Sequence, residues 1–401
     1  MANVFNSDVH KQQYDEGVMA ELRDSIPMNS VSKVRTDNVE YIFNRYGDDE
    51  SAENTTDGTY NVTDATYTAD SKLIDQEAVK SHRIRYKEMA REGFDIALDL
   101  ADRHGFAMAE AVHRHSAKTA YGLANGVVDN EVLAGSASAL TPITLSSSNP
   151  DDVGATITQV LQEREAYGMG TPFMMMSPKA AKNFNLFSMG AGFEVADNSL
   201  RSGLFQVNRG SLFGLDSIVT NEVPRSIVLT ATGNVTAADT LTIAGVVFSV
   251  VASPSAAGDV DLGGDAATTL SNLATAINAA SGQGSTSGAG TTYIAQSAAN
   301  QLTLKNAGVT AVATATTLTI TTMRYVTISE SLGNVTAGTY TENILAGIRN
   351  AVEIVLPSNG FHSEEKSVTG FNGIELTTTQ VHDAHVFYKN RDKLVRVLVA
   401  A

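Results

Sequence analysis

The chain has no cysteine and no tryptophan among its 401 residues. Disulfide staples, thiolate metal ligands and thiol nucleophiles are therefore excluded. Positive charge is scarce as well: 28 lysines and arginines stand against 44 aspartates and glutamates, a formal net charge of -16. Gripping nucleic acid by phosphate neutralisation needs the opposite balance, so tight DNA binding is not expected. No run of 18 apolar residues occurs, and MANVFNSDVHKQQ lacks the basic and apolar regions of a signal peptide. Neither a membrane span nor a cleaved export signal is expected.

Motifs of catalysis are missing too. There is no G-x-G-x-x-G, phosphate loop, H-E-x-x-H or G-x-S-x-G, so the phosphate cradles, zinc pairs and nucleophile elbows they encode have no candidate here. His113 and His115 lie two apart on a predicted helix and point in nearly opposite directions. His382 and His385, with Asp383, fall in a strand or loop pattern and offer fewer convergent donors than a metal site requires. Asp259, Asp261 and Asp265 in GDVDLGGD resemble a calcium loop, but the closing glutamate is absent, and a turn followed by a helix cap accounts for them better. No catalytic, cofactor-binding or metal residue is assigned, and no cofactor is expected.

What is present is organised around YKEMAREGFDIALDLADRHGFAMAEAVHRHSAKTAYG, residues 86–122. It has no proline and is rich in good helix formers. Met89, Phe94, Ala97, Leu100, Ala101, Met108, Ala111 and Val112 recur at helical spacing as one apolar stripe. The pairs Asp99–Arg103 and Glu110–Arg114 support the outer face. Such a helix would span roughly 55 Å and must lie across other elements. Gly93 and Gly105 each weaken it by about 1 kcal/mol and mark places to bend.

Residues 1–35 are polar and read as an N-terminal arm with at most a short helix, ending near Ile26-Pro27. Residues 39–46 and 60–68 read as two strands, separated by the acidic, turn-forming GDDESAENTTDG. Together, 36–80 form an extended hairpin. Residues 1–80 hold 16 acidic and 7 basic residues, so the hairpin suits a basic partner. The tip acids Asp48, Asp49, Glu50 and Glu53 are candidate intersubunit contacts, and Lys389, Arg391 and Lys393 form the basic cluster that would receive them.

Beyond a polar linker, Asp151 or Asp152 begins a helix. Phe173–Met176 reads as a buried strand, and Ser177-Pro178 as an N-cap with proline in the first helical position. Composition then changes abruptly. Residues 226–322 contain four aspartates, one lysine, and no glutamate or arginine. Strand-like pieces fall at 227–230, 240–251, 291–295, 301–305 and 316–321, and Asp265 caps a helix with Leu270, Leu273 and Ile277 on one side. This stretch reads as an inserted β-rich domain. GNVTA occurs at 233–237 and again at 333–337 and reads as a shared turn. Afterwards ENILAGIRNAVEIVLPSNGF reads as a short helix and a strand, and the closing LVRVLVA as a sheet strand.

The order of parts, with MMMSPKAAKNF and GSLFGLDSIVTNEVPR, resembles the major capsid protein of a tailed phage, the Hong Kong 97 fold. The resemblance covers about 300 residues outside the insertion. It implies an α+β fold with an N-terminal arm (1–35), an extended hairpin loop (36–80), a peripheral domain carrying the spine helix (81–150 and 361–401) and an axial domain (151–225 and 323–360). The inserted β-rich domain (226–322) is extra. It implies a non-enzymatic subunit, made in the host cytoplasm, that assembles with itself into hexamers and pentamers of an icosahedral virion shell. Scaffolding, portal and decoration proteins are the implied further partners, with packaged double-stranded DNA held without sequence-specific binding and no membrane. Two rivals were weighed. An encapsulin-like compartment shell would share the fold and hold protein cargo. A surface adhesin would suit the Thr/Gly-rich insertion, but the spine, the absent signal peptide and the position of the insertion count against it.

Overall fold

The computed structural model describes residues 7–24, 26–36, 40–46, 67–87, 95–122, 131–133, 142–146, 148–166, 168, 170–190, 210–212, 214–279, 291–367 and 369–400. The chain divides into two compact units. One comprises Met1–Asn130, Arg164–Thr171 and Gly347–Leu394; the other comprises Glu131–Glu163, Pro172–Ala346 and Val395–Ala401.

The first unit opens with helix α1 (Ser7–Asp24), 18 residues long. This corrects the expectation of an arm with at most a short helix. Tyr14, Val18 and Leu22, four apart, are its buried residues. So narrow a stripe on a polar segment is weak evidence of a helix, and its stability comes from packing. That packing is against α2 (Asp95–Ala120), the spine, which continues unbroken for 26 residues, roughly 39 Å. Residues 88–94 of the expected spine, Gly93 included, lie outside the described residues. Gly105 is a point of close approach between the helices: a Cβ there would stand 2.7 Å from Cβ of Glu21 and 2.9 Å from the Val18 carbonyl oxygen.

The spine packs on a sheet in which β1 (Lys33–Arg35) runs parallel to β19 (Glu353–Val355), and β19 antiparallel to the long β21 (Gly373–His385). Strands β20 (Phe361–Ser367) and β4 (Gln76–Arg85) also pair antiparallel with β21. A separate two-stranded ribbon consists of β2 (Glu40–Tyr46) and β3 (Tyr67–Leu73), paired from Glu40↔Leu73 to Tyr46↔Tyr67. The expected hairpin is present, but its second described strand is 67–73, downstream of most of the 60–68 expected. Residues 47–66 lie outside the described residues.

The second unit is built on an 11-stranded sheet. Its path is β14 (Thr310–Ala313), β15 (Thr317–Thr322), β10 (Arg225–Ala231), β18 (Thr341–Ile348), β7 (Pro172–Met176), β9 (Leu215–Val219) and β8 (Gly210–Leu212). Strand β17 (Val335–Ala337) pairs with β10, while β22 (Leu394–Ala400) pairs with β18, β5 (Glu131–Leu133) and β6 (Ile143–Thr144). Helices α3 (Pro150–Glu163) and α4 (Pro178–Gly190) flank β7 in the chain. Strand β18 replaces the short helix expected in ENILAGI. Ile344, Leu345, Ala346 and Ile348 are all buried, and a strand buried on both faces has a continuous apolar run that hides its period of two.

A smaller sheet, ordered β13 (Asp259–Asp261), β12 (Val246–Val251), β11 (Thr240–Ile243) and β16 (Ile328–Glu330), stands beside helix α5 (Ala266–Asn278). Residues 301–305, expected as strand, lie in helix α6 (Ala298–Asn306), where Ser297 caps the start by accepting from the Asn300 N–H at 3.3 Å. The alternation in QLTL reads as a strand, but only Leu304 of that helix is buried.

Candidate functional site

Three constructions stand out: a histidine relay in the first unit, a neck in the second, and the ribbon. The relay joins α1, α2, β4 and β21. The Tyr14 hydroxyl lies 2.6 Å from His104 Nδ1 and 2.6 Å from Thr378 Oγ1, and His104 Nε2 lies 2.6 Å from Nδ1 of His82. Two imidazole nitrogens at that distance hold one proton between them, so both rings cannot be fully protonated there. Burial pulls His104 down to about 4, helped by His82 and Lys80. Burial, Lys80 and Arg103 also lower His82, while burial pushes the Tyr14 phenol up to about 12.

Further along the spine, His115 Nε2 meets Asp383 Oδ1 at 2.9 Å, and the His382 ring stands edge-on to His115 with centroids 5.6 Å apart. Burial brings His382 down to about 4, and the fully buried His113 down to about 3. Hence the sequence-flagged histidines are core polar groups of the spine and of β21. Among the described residues, no group of three histidine, aspartate or glutamate side chains converges as a metal site would. Asp259 and Asp265 serve local backbone. The Asp259 carboxylate accepts from the N–H groups of Ser255 and Ala256, and Asp265 caps α5 by accepting from the Thr268 N–H at 2.8 Å.

The neck is where the chain leaves the body of the second unit at β10 and returns at β18. Arg225 pairs with Glu342 across the strands, and Ser226 with Thr341. Arg225 Nε stands 2.9 Å from Glu342 Oε1, and each side chain is 4 % exposed. The other carboxylate oxygen of Glu342 accepts from the Ser177 hydroxyl, and Ser177 Oγ in turn accepts from the Ala180 N–H at 3.1 Å as the expected cap of α4. The Arg225 guanidinium lies over the Tyr325 ring, 4.9 Å from its centroid. Two more links close the neck: Asn343 Nδ2 to the Pro224 carbonyl at 3.1 Å, and Ser226 Oγ to Thr341 Oγ1 at 2.8 Å.

Between departure and return lies one apolar core. It includes Ile227, Leu229, Leu241, Phe248, Leu270, Ile277, Leu318 and Ile320, and it reaches Leu332 with Tyr340 packed against it. The two GNVTA segments meet here. The Asn334 carbonyl accepts from the Thr232 N–H at 2.8 Å, and Asp239 Oδ2 accepts from the N–H groups of Thr236 and Gly333. They are not equivalent, because the second enters strand β17 and the first does not.

Of the proposed intersubunit residues, Asp48, Asp49, Glu50 and Glu53 lie outside the described residues, as does the side chain of Lys389. Arg391 and Lys393 belong to the 3-10 turn Tyr388–Lys393, where Lys393 Nζ donates to Asn390 Oδ1 at 3.0 Å. Sequence reading missed both the relay and the neck. Tyr14 and Thr378 are 364 positions apart, so no local pattern links them. For the neck there was a signal: Arg225 and Glu342 are charges bracketing a nearly uncharged stretch.

No family model matches the chain, and no curated protein matches it. Solved structures do. A chain of Mycobacterium phage Che8 is 11% identical, with 90% of this chain and 85% of that one covered and a TM-score of 0.45. The capsid of Ralstonia phage GP4 is 10% identical, covering 92% and 87%, with a TM-score of 0.47. A virus-like particle from Pyrococcus furiosus is 8% identical, covering 97% and 100%, with a TM-score of 0.44.

Proposed function

We propose that this chain is a major capsid protein, the repeating subunit of an icosahedral shell around double-stranded DNA. The observation that carries the reading is the ribbon β2–β3, seven residues on each strand in a sheet of its own. An isolated two-stranded ribbon is marginal in water, so it needs another surface, and in a closed shell of one repeated chain the neighbouring subunit supplies it. The arm helix laid on a spine, the sheet beneath it and the second, sheet-based unit follow the order of parts that the sequence resemblance implies.

On this reading the ribbon tip, with Asp48, Asp49, Glu50 and Glu53, docks on the neighbour's cluster of Lys389, Arg391 and Lys393. Exposed pairs contribute only about 0–1 kcal/mol each, yet repetition over a shell fixes geometry. The subunits form hexamers and pentamers, and the stretch 226–322, extended by its core and neck to Arg225–Glu342, is a module projecting outward. The acidic chain encloses DNA without gripping it.

Electron microscopy of the purified full chain, produced with its scaffolding partners, tests the reading. Closed hollow particles are expected; monomers and dimers alone would overturn it. Neutralising the four tip acids is expected to slow or misdirect assembly, more so at low salt.

A further inference from the structure

The sheet strands β14, β15, β10 and β17 have two unlike faces. Inward, Ala311, Leu318, Ile320, Ile227 and Leu229 are buried in the module core. Outward, the registers align side chains in rows. Val312 pairs with Thr319 and Thr319 with Val228; Thr310 pairs with Thr321 and Thr321 with Ser226. Thr230 pairs with both Thr317 and Thr336. None of these positions is charged, although the chain carries a net charge of -16. Val312 is 65% exposed and Val228 39% exposed. A one-sided sheet normally presents charged or strongly hydrated residues to water; this one presents β-branched, neutral ones.

A β module associates with another either by its edge or by its face. The edge is closed. The Asn278 side chain stands beside β14 as a strand would, its Nδ2 donating to the Ala311 carbonyl at 2.6 Å and its Oδ1 accepting from the Ala311 N–H at 2.8 Å. The face is open.

We propose that this outer face is a self-docking surface, meeting the same face of a second copy of this chain. Charge selects that occupant. Copies of a chain with an excess of 16 negative charges repel one another over most of their surface, and a neutral face is where two can meet without burying like charges. Area sets the strength. Four strands at ~4.8 Å spacing, each with about three outward residues at a ~6.8 Å repeat, give roughly 350 Å² per copy. That is well below the ~800 Å² per partner of a stable free complex. The contact therefore forms between copies already held side by side, where effective concentration is high. The proposal rests on the shell reading only for what holds the copies together.

Because the chain has no cysteine, one introduced thiol is the only reactive site. Thr319→Cys and Val312→Cys place it on the face; Leu302→Cys places it on exposed α6 as a control. Full chains, assembled or concentrated, are treated with a short bismaleimide and resolved by denaturing electrophoresis. Covalent dimers from at least one face variant, about tenfold above the control, are expected. Particles visible by microscopy without face crosslinks would overturn the proposal while leaving the shell reading intact. A face thiol that is protected from a monofunctional maleimide yet gives no dimer would also overturn it, since a different protein then covers the face. If no particles form, the shell reading fails by itself. The crosslink at high concentration still decides the proposal: dimers sustain it, and face variants no better than the control reject it. A retained melting transition in each variant confirms that it is folded.

Discussion

The core under the arm and the core of the module 225–342 are held by different chemistry. Beneath α1, apolar contacts are interleaved with buried polar links, namely Tyr14, His82, His104 and Thr378. The module core contains only aliphatic and aromatic side chains, and its buried charges are gathered at the neck in Arg225 and Glu342. A polar core specifies one partner geometry and depends on protonation; an apolar core tolerates pH and needs its charges only where the chain must be clamped. An arm that docks by hydrogen bonds can be released by protons, while a module on a clamped neck stays folded.

The largest effect is expected at the neck. Glu342→Ala leaves Arg225 buried without its carboxylate, a loss of about 3–5 kcal/mol in denaturant unfolding. Replacing both partners, Arg225→Met with Glu342→Leu, should recover most of it. If the single variant costs no more than the double, the clamp is not where the stability lies.

Acidification should act on the other region. His104 is held from 6.5 down to about 4 by burial, so the unfolded state binds the proton first as pH falls. Stability is complete above about pH 6.5 and declines toward pH 4, by roughly 3 kcal/mol for this one group. His104→Gln should flatten the slope of melting temperature against pH in that window. An unchanged slope would remove the relay from the account.

Gly105→Ala trades a gain of about 1 kcal/mol in helix propensity for a clash with Val18 and Glu21 in α1. Overpacking of this kind costs about 1–3 kcal/mol, so the net expectation is a loosened arm, seen as faster proteolysis within 7–24 at little change in the module. The smallest effect is expected from Asn278→Ala. It leaves two polar groups of the buried Ala311 without partners, costing about 1–2 kcal/mol and lowering the module's melting temperature.

The sequence was informative wherever a physical period or a cap was local. The spine stripe, the Ser177 and Asp265 caps, the buried MMM strand and the closing strand were all readable because neighbours in sequence define them. It misled where burial on both faces removed the period, as in ENILAGI, and where a short amphipathic run had only one buried residue, as in α6. The arm helix was underestimated because Tyr14, Val18 and Leu22 make a stripe too narrow to declare itself without the spine. The relay and the neck were invisible for a different reason: residues hundreds of positions apart make them, and single side chains such as Thr378 or Ser177 have no sequence signature of partnership.

Hydrogen exchange on the full chain at pH 7.5 and pH 5.0 tests the contrast most directly. Amide protection in α1 and β4 should fall sharply at the lower pH after correction for intrinsic rates, while protection across residues 225–342 stays unchanged. Equal losses in both regions, or protection of α1 and β4 that does not respond to acid, would contradict the account.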